Sequence, residues 1–267
     1  MSGDFTGRSA LVSGGAGGLG GATARRLVEL GMGVIILEPD YERGAAFAKE
    51  LGDRAVAIAG DHNDDEAVSS AIAAAQALGV FSVNVNAVGV VINTPATAAA
   101  DGTPHDMALF REMVELHLFG PFNMSRLSAA AFSANAPDED GQRGVIVDTA
   151  STAAYDGQAH QAAYAASKAG VAGMTTAMAR DLAEIGVRAC AIAPGPILTP
   201  RLASASDTLK AALIGNVAFP KRFGRAEEYA SLVEAILRTP FLNGQTIRLD
   251  GAMSTPLTAM SGAQEPK

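Results

Sequence analysis

The chain has one cysteine, Cys190, in 267 residues. That scarcity excludes an internal disulfide and any zinc cluster built on several thiolates. Within the strand-like run VRACAIA, Cys190 reads as core packing. Basic residues are in deficit, 20 Lys and Arg against 28 Asp and Glu, for a formal net charge of −8. With no clustered Lys/Arg stripe, the sequence offers no electrostatic footprint for nucleic acid or an anionic membrane. Long apolar runs are missing too, since no stretch of about 18 uninterrupted apolar residues occurs. The N-terminal MSGDFTGRSALV has no charged segment leading into an apolar one. A soluble, cytoplasmic protein is expected. Histidines number four, and His62, His105 and His160 show neither i, i+4 pairing nor a carboxylate cluster, so no metal is assigned.

What remains is a chain with 48% hydrophobic residues, enough for one sizeable core. Short apolar runs at 9–13, 34–37, 55–59, 81–86, 144–149, 187–192 and 245–249 alternate with helical patterns such as GATARRLVEL, DEAVSSAIAAAQAL and EEYASLVEAILRT. This rhythm predicts an α/β fold, a parallel sheet with helical crossovers on both faces, formed by residues 1–267 as one domain. A polar loop, NAPDEDGQRG, and a Pro-, Ala- and Leu-rich segment at 196–222 interrupt the rhythm. The terminal SGAQEPK is expected to fray. No internal repeat is evident.

Two constellations carry chemistry. SGGAGGLGG at 13–21 places Gly14, Gly18 and Gly20 between a strand and a helix, where backbone N–H groups and the helix dipole can receive a pyrophosphate. Glu38 closes the second apolar run about 20 residues on, where a carboxylate accepts both hydroxyls of an adenosine ribose and repels a 2′-phosphate. Pro39 and Asp40 follow, so no cation is offered to such a phosphate. This favours NAD over NADP. Downstream, Tyr164 and Lys168 share one face of a helix, with Ser151 at the end of the strand GVIVDTAS. A tyrosine with an ordinary pKa of about 10 becomes a usable base beside an ammonium. Tyr164 would exchange the proton of an alcohol, Ser151 would hold the same oxygen, and Lys168 would tune Tyr164.

In these motifs and their order the chain resembles the short-chain dehydrogenase/reductase family over nearly its whole length. The family pattern appears as Ser13-Gly14, Gly18 and Gly20, then Glu38, Asp61, Asn86 to Gly89, Ser151, Tyr164 and Lys168, and Pro194-Gly195 with Thr199. The resemblance implies a Rossmann-type doubly wound sheet of order 3-2-1-4-5-6-7, a frequent homotetramer, and Asp61 against the adenine. It implies an NAD site of Ser13, Gly14, Gly18, Leu19, Gly20, Glu38, Asp61, His62, Asn86, Gly89, Tyr164, Lys168, Pro194, Gly195, Ile197 and Thr199, with Lys168 also on the nicotinamide ribose. Within the family, stretches such as ARDLAEIGVRACAIAPG look like the type II 3-hydroxyacyl-CoA dehydrogenases, also described as acting on hydroxysteroids.

Two positions depart from the pattern. NAVG stands for N-N-A-G, putting Ala87 and Val88 beside the adenosine. LHLFG places His117 where the family has a catalytic asparagine in a long helix, at a kink whose carbonyl serves a proton relay. His117 either joins that relay, its ordinary pKa being about 6.5, or fills the asparagine's space. The expected catalytic set is therefore Ser151, Tyr164, Lys168 and His117. Segment 196–222 is expected to form a lid over the nicotinamide, with an apolar lining for the substrate and with Arg201, Lys210, Lys221 and Arg222 available to CoA phosphates. The expected activity is interconversion of a secondary alcohol and a ketone, a 3-hydroxyacyl-CoA or hydroxysteroid. The alternatives are a cyclic or aromatic secondary alcohol, or a nucleotide-binding scaffold with impaired turnover.

Overall fold

All seven apolar runs become strands of one sheet. The computed structural model describes residues 5–89 and 95–254; the SGAQEPK terminus lies outside them. The strands are β1 (Arg8–Ser13), β2 (Gly33–Glu38), β3 (Ala55–Ala59), β4 (Val80–Asn86), β5 (Gly144–Thr149), β6 (Val187–Pro194) and, after two short strands, β9 (Thr246–Leu249). Their order is β3-β2-β1-β4-β5-β6-β9, every pairing parallel. This is the expected order. The short pair β7 (Ile197–Leu198) and β8 (Gly224–Arg225) makes its own two-residue parallel ladder. It ties together the two ends of the lid segment.

The runs are continuous rather than alternating because both faces of the sheet are covered. Along β2, Val34 and Ile36 pack into one core and Ile35 and Leu37 into the other. Helices α1 (Gly18–Glu29), α2 (Tyr41–Leu51) and α9 (Ala226–Arg238) close the first face, with Leu27, Ala48, Tyr229 and Val233 inserted. Helices α3 (Asp65–Leu78), α5 (Gly120–Phe132) and α6 (Ala162–Asp181) close the second with Val68, Met124, Phe132 and Met178. Each large aliphatic side chain buried this way contributes about 1.5–3 kcal/mol. Cys190 is fully buried in the first core, as expected. Helix α4 (Met107–Val114) precedes α5, and two short helices, α7 (Pro200–Ala203) and α8 (Asp207–Gly215), lie within segment 196–222.

The long helix expected to kink at His117 is interrupted there. Between α4 and α5, residues Glu115–Phe119 form a π-helical turn, in which the Gly120 N–H donates to the Glu115 carbonyl five residues back. The local cause is Pro121, which has no N–H to offer the carbonyl of His117 four residues earlier, so the regular ladder cannot continue. His117 sits at the middle of this turn and is buried. The kink persists with histidine in place of the family's asparagine.

Candidate active site

The strand order reverses between β1 and β4, and the site is built where such sheets bind ligands, outside the carboxyl ends of the strands. Gly14 follows β1 with φ +62, a conformation that a side chain disfavours. Helix α1 starts from Gly17 with no side-chain cap, whereas Asp40, Asp64 and Asp106 cap α2, α3 and α4 through their carboxylates. Its first N–H groups therefore face the groove without a competing acceptor, as an anion site requires. A Cβ on Gly18 would lie 2.6 Å from the Thr199 methyl. The glycine turn and the segment after β6 thus touch. Leu19, beside it, packs against the first core.

Glu38 ends β2, as expected, and its carboxylate is buried. One oxygen accepts from the Arg43 guanidinium on α2; the other is buried without a hydrogen-bond partner. A buried acceptor left open at the ribose position is the feature that an adenosine ribose would satisfy. The expectation that no cation stands near a 2′-phosphate is corrected here. The chain turns at Pro39-Asp40, Asp40 caps α2, and the first turn of that helix carries Arg43 back onto Glu38. Asp61 is half exposed, with its carboxylate on the Asn63 N–H at 2.8 Å. His62 turns inward, against Gly120, where a Cβ would lie 2.1 Å from the ring. Burial holds the His62 pKa low, so its ring is neutral at pH 7.

Ser13 and Asn86 are buried. The Asn86 amide does not face the groove but donates to Asp148, to Ser125 at 3.2 Å and to the Pro121 carbonyl at 3.2 Å. Gly89 is exposed. Pro194 ends β6, Gly195 packs on Asp250, Ile197 is buried, and Thr199 caps α7.

Ser151, Tyr164 and Lys168 come together. Ser151 follows β5 and caps a short 3-10 turn. Burial pushes the pKa of the Tyr164 phenol up, and the Ser151 side chain opposes that push. Lys168 is fully buried, with Nζ donating to the Thr149 carbonyl at 2.7 Å and lying 5.9 Å from the Tyr164 ring. Burial brings the Lys168 pKa down to about 8, and the charge of Asp148 works the other way. The His117 ring meets Tyr164 edge-on, centroids 5.1 Å apart. All four expected catalytic side chains therefore share one cluster. Tyr155, which sequence reasoning passed over, is exposed four residues after Ser151 and faces the Arg248 guanidinium at 5.8 Å. Among the lid cations, Arg222 is committed to Glu228 in a two-point contact at 2.7 and 2.9 Å, and Lys221 reaches the Gly215 carbonyl at 3.2 Å. A cavity of about 220 Å³ lies between Ile197, Val217 and Leu249, but none of Ser151, Tyr164 or Lys168 borders it. The cluster of Ser151, Tyr164 and Lys168 lies elsewhere.

A parallel sheet whose strand ends join a glycine turn to a Ser, Tyr and Lys cluster defines an oxidoreductase fold of one class. The short chain dehydrogenase family model matches residues 8–210, and the chain belongs to that family. Among its relatives, the 3-hydroxyacyl-CoA dehydrogenase type-2 of Drosophila melanogaster is 45% identical over 91% of this chain and 96% of that protein. The Homo sapiens protein of the same name is 44% identical over 91% of this chain and 94% of its own. The crystal structure of 3-hydroxyacyl-CoA dehydrogenase type-2 from Mycobacterium avium superposes with a TM-score of 0.92 at 44% identity, covering 94% of this chain and 98% of that one. Among the described residues no helix is long and apolar enough to cross a membrane, and no cluster of His, Cys, Asp and Glu is suited to a metal.

Proposed function

We propose that this oxidoreductase is an NAD-dependent dehydrogenase of secondary alcohols, acting on a 3-hydroxyacyl-CoA or a hydroxysteroid. The observation that carries the reading is the meeting of Ser151, Tyr164 and Lys168 at the carboxyl ends of the strands, beside a groove with an open buried acceptor at Glu38. The residues fit a dinucleotide: α1 presents uncapped N–H groups for the pyrophosphate, and Glu38 presents a carboxylate oxygen to the ribose. When bound, the nicotinamide supplies the acceptor for a hydride from the substrate carbon. Tyr164 takes the hydroxyl proton in oxidation and returns it in reduction. Ser151 holds that oxygen by hydrogen bonding. The Lys168 ammonium, 5.9 Å from the Tyr164 ring, would stabilise the phenolate formed in that exchange. The names of the relatives support the acyl-CoA choice, and the retained kink at His117 supports turnover over a scaffold role.

Tyr164→Phe tests this in an NADH-formation assay across acyl-CoA, steroid and simple alcohol panels. Turnover should fall by a factor on the order of 10² or more with NAD affinity kept, as expected when a general acid/base is lost. Near-normal turnover with the best substrate would move the chemistry elsewhere. A homotetramer belongs to the same reading: α6 leaves the small residues Ala166, Ala169, Gly173 and Thr176 exposed on its outer face. Light scattering at micromolar concentration checks it, a monomer being the contrary result.

A further inference from the structure

Asp148 is fully buried near the end of β5, and the chemistry above makes no use of it. Along that strand Val145 and Val147 face the first core and Ile146 the second. Asp148 thus points to the α5 and α6 side. One carboxylate oxygen accepts from the Asn86 amide and from the Ser125 hydroxyl at 3.3 Å; the other is buried without a hydrogen-bond partner. A carboxylate in this position is expensive to keep ionised unless an opposite charge lies close by. The neighbours from β4, α5 and β6 are the neutral Asn86, Ser125 and Ala191. Helix α9 brings Tyr229, whose hydroxyl lies 2.7 Å from that of Thr149 and whose pKa is pushed up by burial. Tyr164, His117 and the neutral His62 complete the titratable surroundings on the Lys168 side. The one cation among these is Lys168, anchored on the carbonyl of the very next residue, Thr149.

We propose that Asp148 is a positioning residue, the buried counter-ion that keeps Lys168 protonated and through it keeps the Tyr164 hydroxyl reactive. Burial raises the Asp148 pKa to about 6 and lowers that of Lys168 to about 8, and each charge opposes the other's shift. Both groups are then ionised between those values, which brackets neutrality. Below about 6 the carboxylate takes a proton and Lys168 loses its partner. This coupling of the two buried charges is independent of the substrate; only its effect on turnover rests on the reaction assigned above.

The test is made first on the protein without cofactor. The sequence has five lysines, so isotope-labelled lysine allows the Lys168 side chain to be followed by NMR as pH is varied. In Asp148→Asn, whose amide oxygen can still accept from Asn86 and Ser125, the proton affinity of Lys168 should fall about tenfold or more. Because coupling between sites is reciprocal, Lys168→Met should raise the proton affinity of the labelled Asp148 carboxyl by a similar factor. This second arm stands even if Asp148→Asn fails to fold. A role in shape alone would leave the Lys168 midpoint where it was. An unchanged Lys168 midpoint in folded Asp148→Asn, or an unchanged Asp148 midpoint in Lys168→Met, overturns the proposal. In turnover, the alkaline limb of kcat/KM should follow the shifted Lys168 midpoint to lower pH; a limb that stays put overturns the link to Tyr164. Titrations that shift in a protein active on no alcohol would count against the assigned reaction and leave the coupling of Asp148 to Lys168 standing.

Discussion

Replacing Glu38 by alanine acts on two nucleotides in opposite directions. The open oxygen of Glu38, buried and unpartnered, is available to a ribose hydroxyl. A hydrogen bond to a charged acceptor contributes about 1.5–3 kcal/mol, so Glu38→Ala should weaken NAD binding about 10- to 150-fold. For NADP the same carboxylate meets a phosphate. At roughly 4 Å and an effective dielectric constant of about 20, each pair of like unit charges costs about 4 kcal/mol, which the Arg43 contact reduces. Removing Glu38 lifts that repulsion and releases Arg43, a guanidinium well suited to bind a phosphate. NADP affinity should therefore rise by at least an order of magnitude. In Glu38→Ala/Arg43→Ala the loss of NAD affinity should persist and most of the NADP gain should vanish. Isothermal titration calorimetry of the three proteins with both nucleotides, at low and high salt, reads all of these quantities. Equal affinities in the unsubstituted protein, or an Arg43→Ala change that leaves NADP binding to Glu38→Ala untouched, would refute the reasoning.

Two further outcomes follow from the same cluster. The Lys168 pKa, lowered to about 8 by folding from an ordinary 10.5, means that between these values the unfolded chain binds a proton the folded chain does not. Stability should therefore rise from pH 8 to pH 9, by about 1.4 kcal/mol at most, and the rise should be absent in Lys168→Met. Thermal unfolding reads this as a few degrees in Tm; a flat or falling Tm in the unsubstituted protein contradicts it. His117→Asn should keep the fold and NAD affinity while altering the pH profile of kcat near neutrality, because an imidazole against Tyr164 can exchange protons and an amide cannot. Superimposable profiles would leave His117 as a space-filling residue.

The sheet was legible because parallel strands buried on both faces write themselves as short apolar runs, and all seven predicted runs are strands. The glycine turn and the Ser151, Tyr164 and Lys168 spacing were legible because that chemistry restricts residue types. The π turn was legible only as the kink that the resemblance implies at His117; its π geometry was not, since ELHLFG itself has ordinary helical periodicity. Arg43 escaped notice because it is five residues from Glu38, across a strand-to-helix turn whose geometry a linear scan does not supply. Asp148 was hidden in plain view within GVIVDTAS, where its strand neighbours suggested burial but not which helix would cover it. The ladder of β7 and β8 was out of reach as well, since two residues cannot show a period.

The π turn also determines which kinds of sequence change this part of the chain can absorb. A helix advances about 100° with each residue. The π turn, whose hydrogen bond spans five residues where a regular turn's spans four, takes one extra residue into the helix, so straightening 115–119 into a regular helix at unchanged length would swing the whole of α5 through about that angle relative to α4. Ser125 and the Pro121 carbonyl would leave Asn86, Asn123 would leave the His62 carbonyl that it now reaches at 3.0 Å, and Met124 and Phe132 would turn off the sheet. A substitution that leaves the turn in place changes one contact at a time, whereas one that straightened it would shift the phase of every contact downstream. What ELHLF encodes, beyond the identity of His117, is a length.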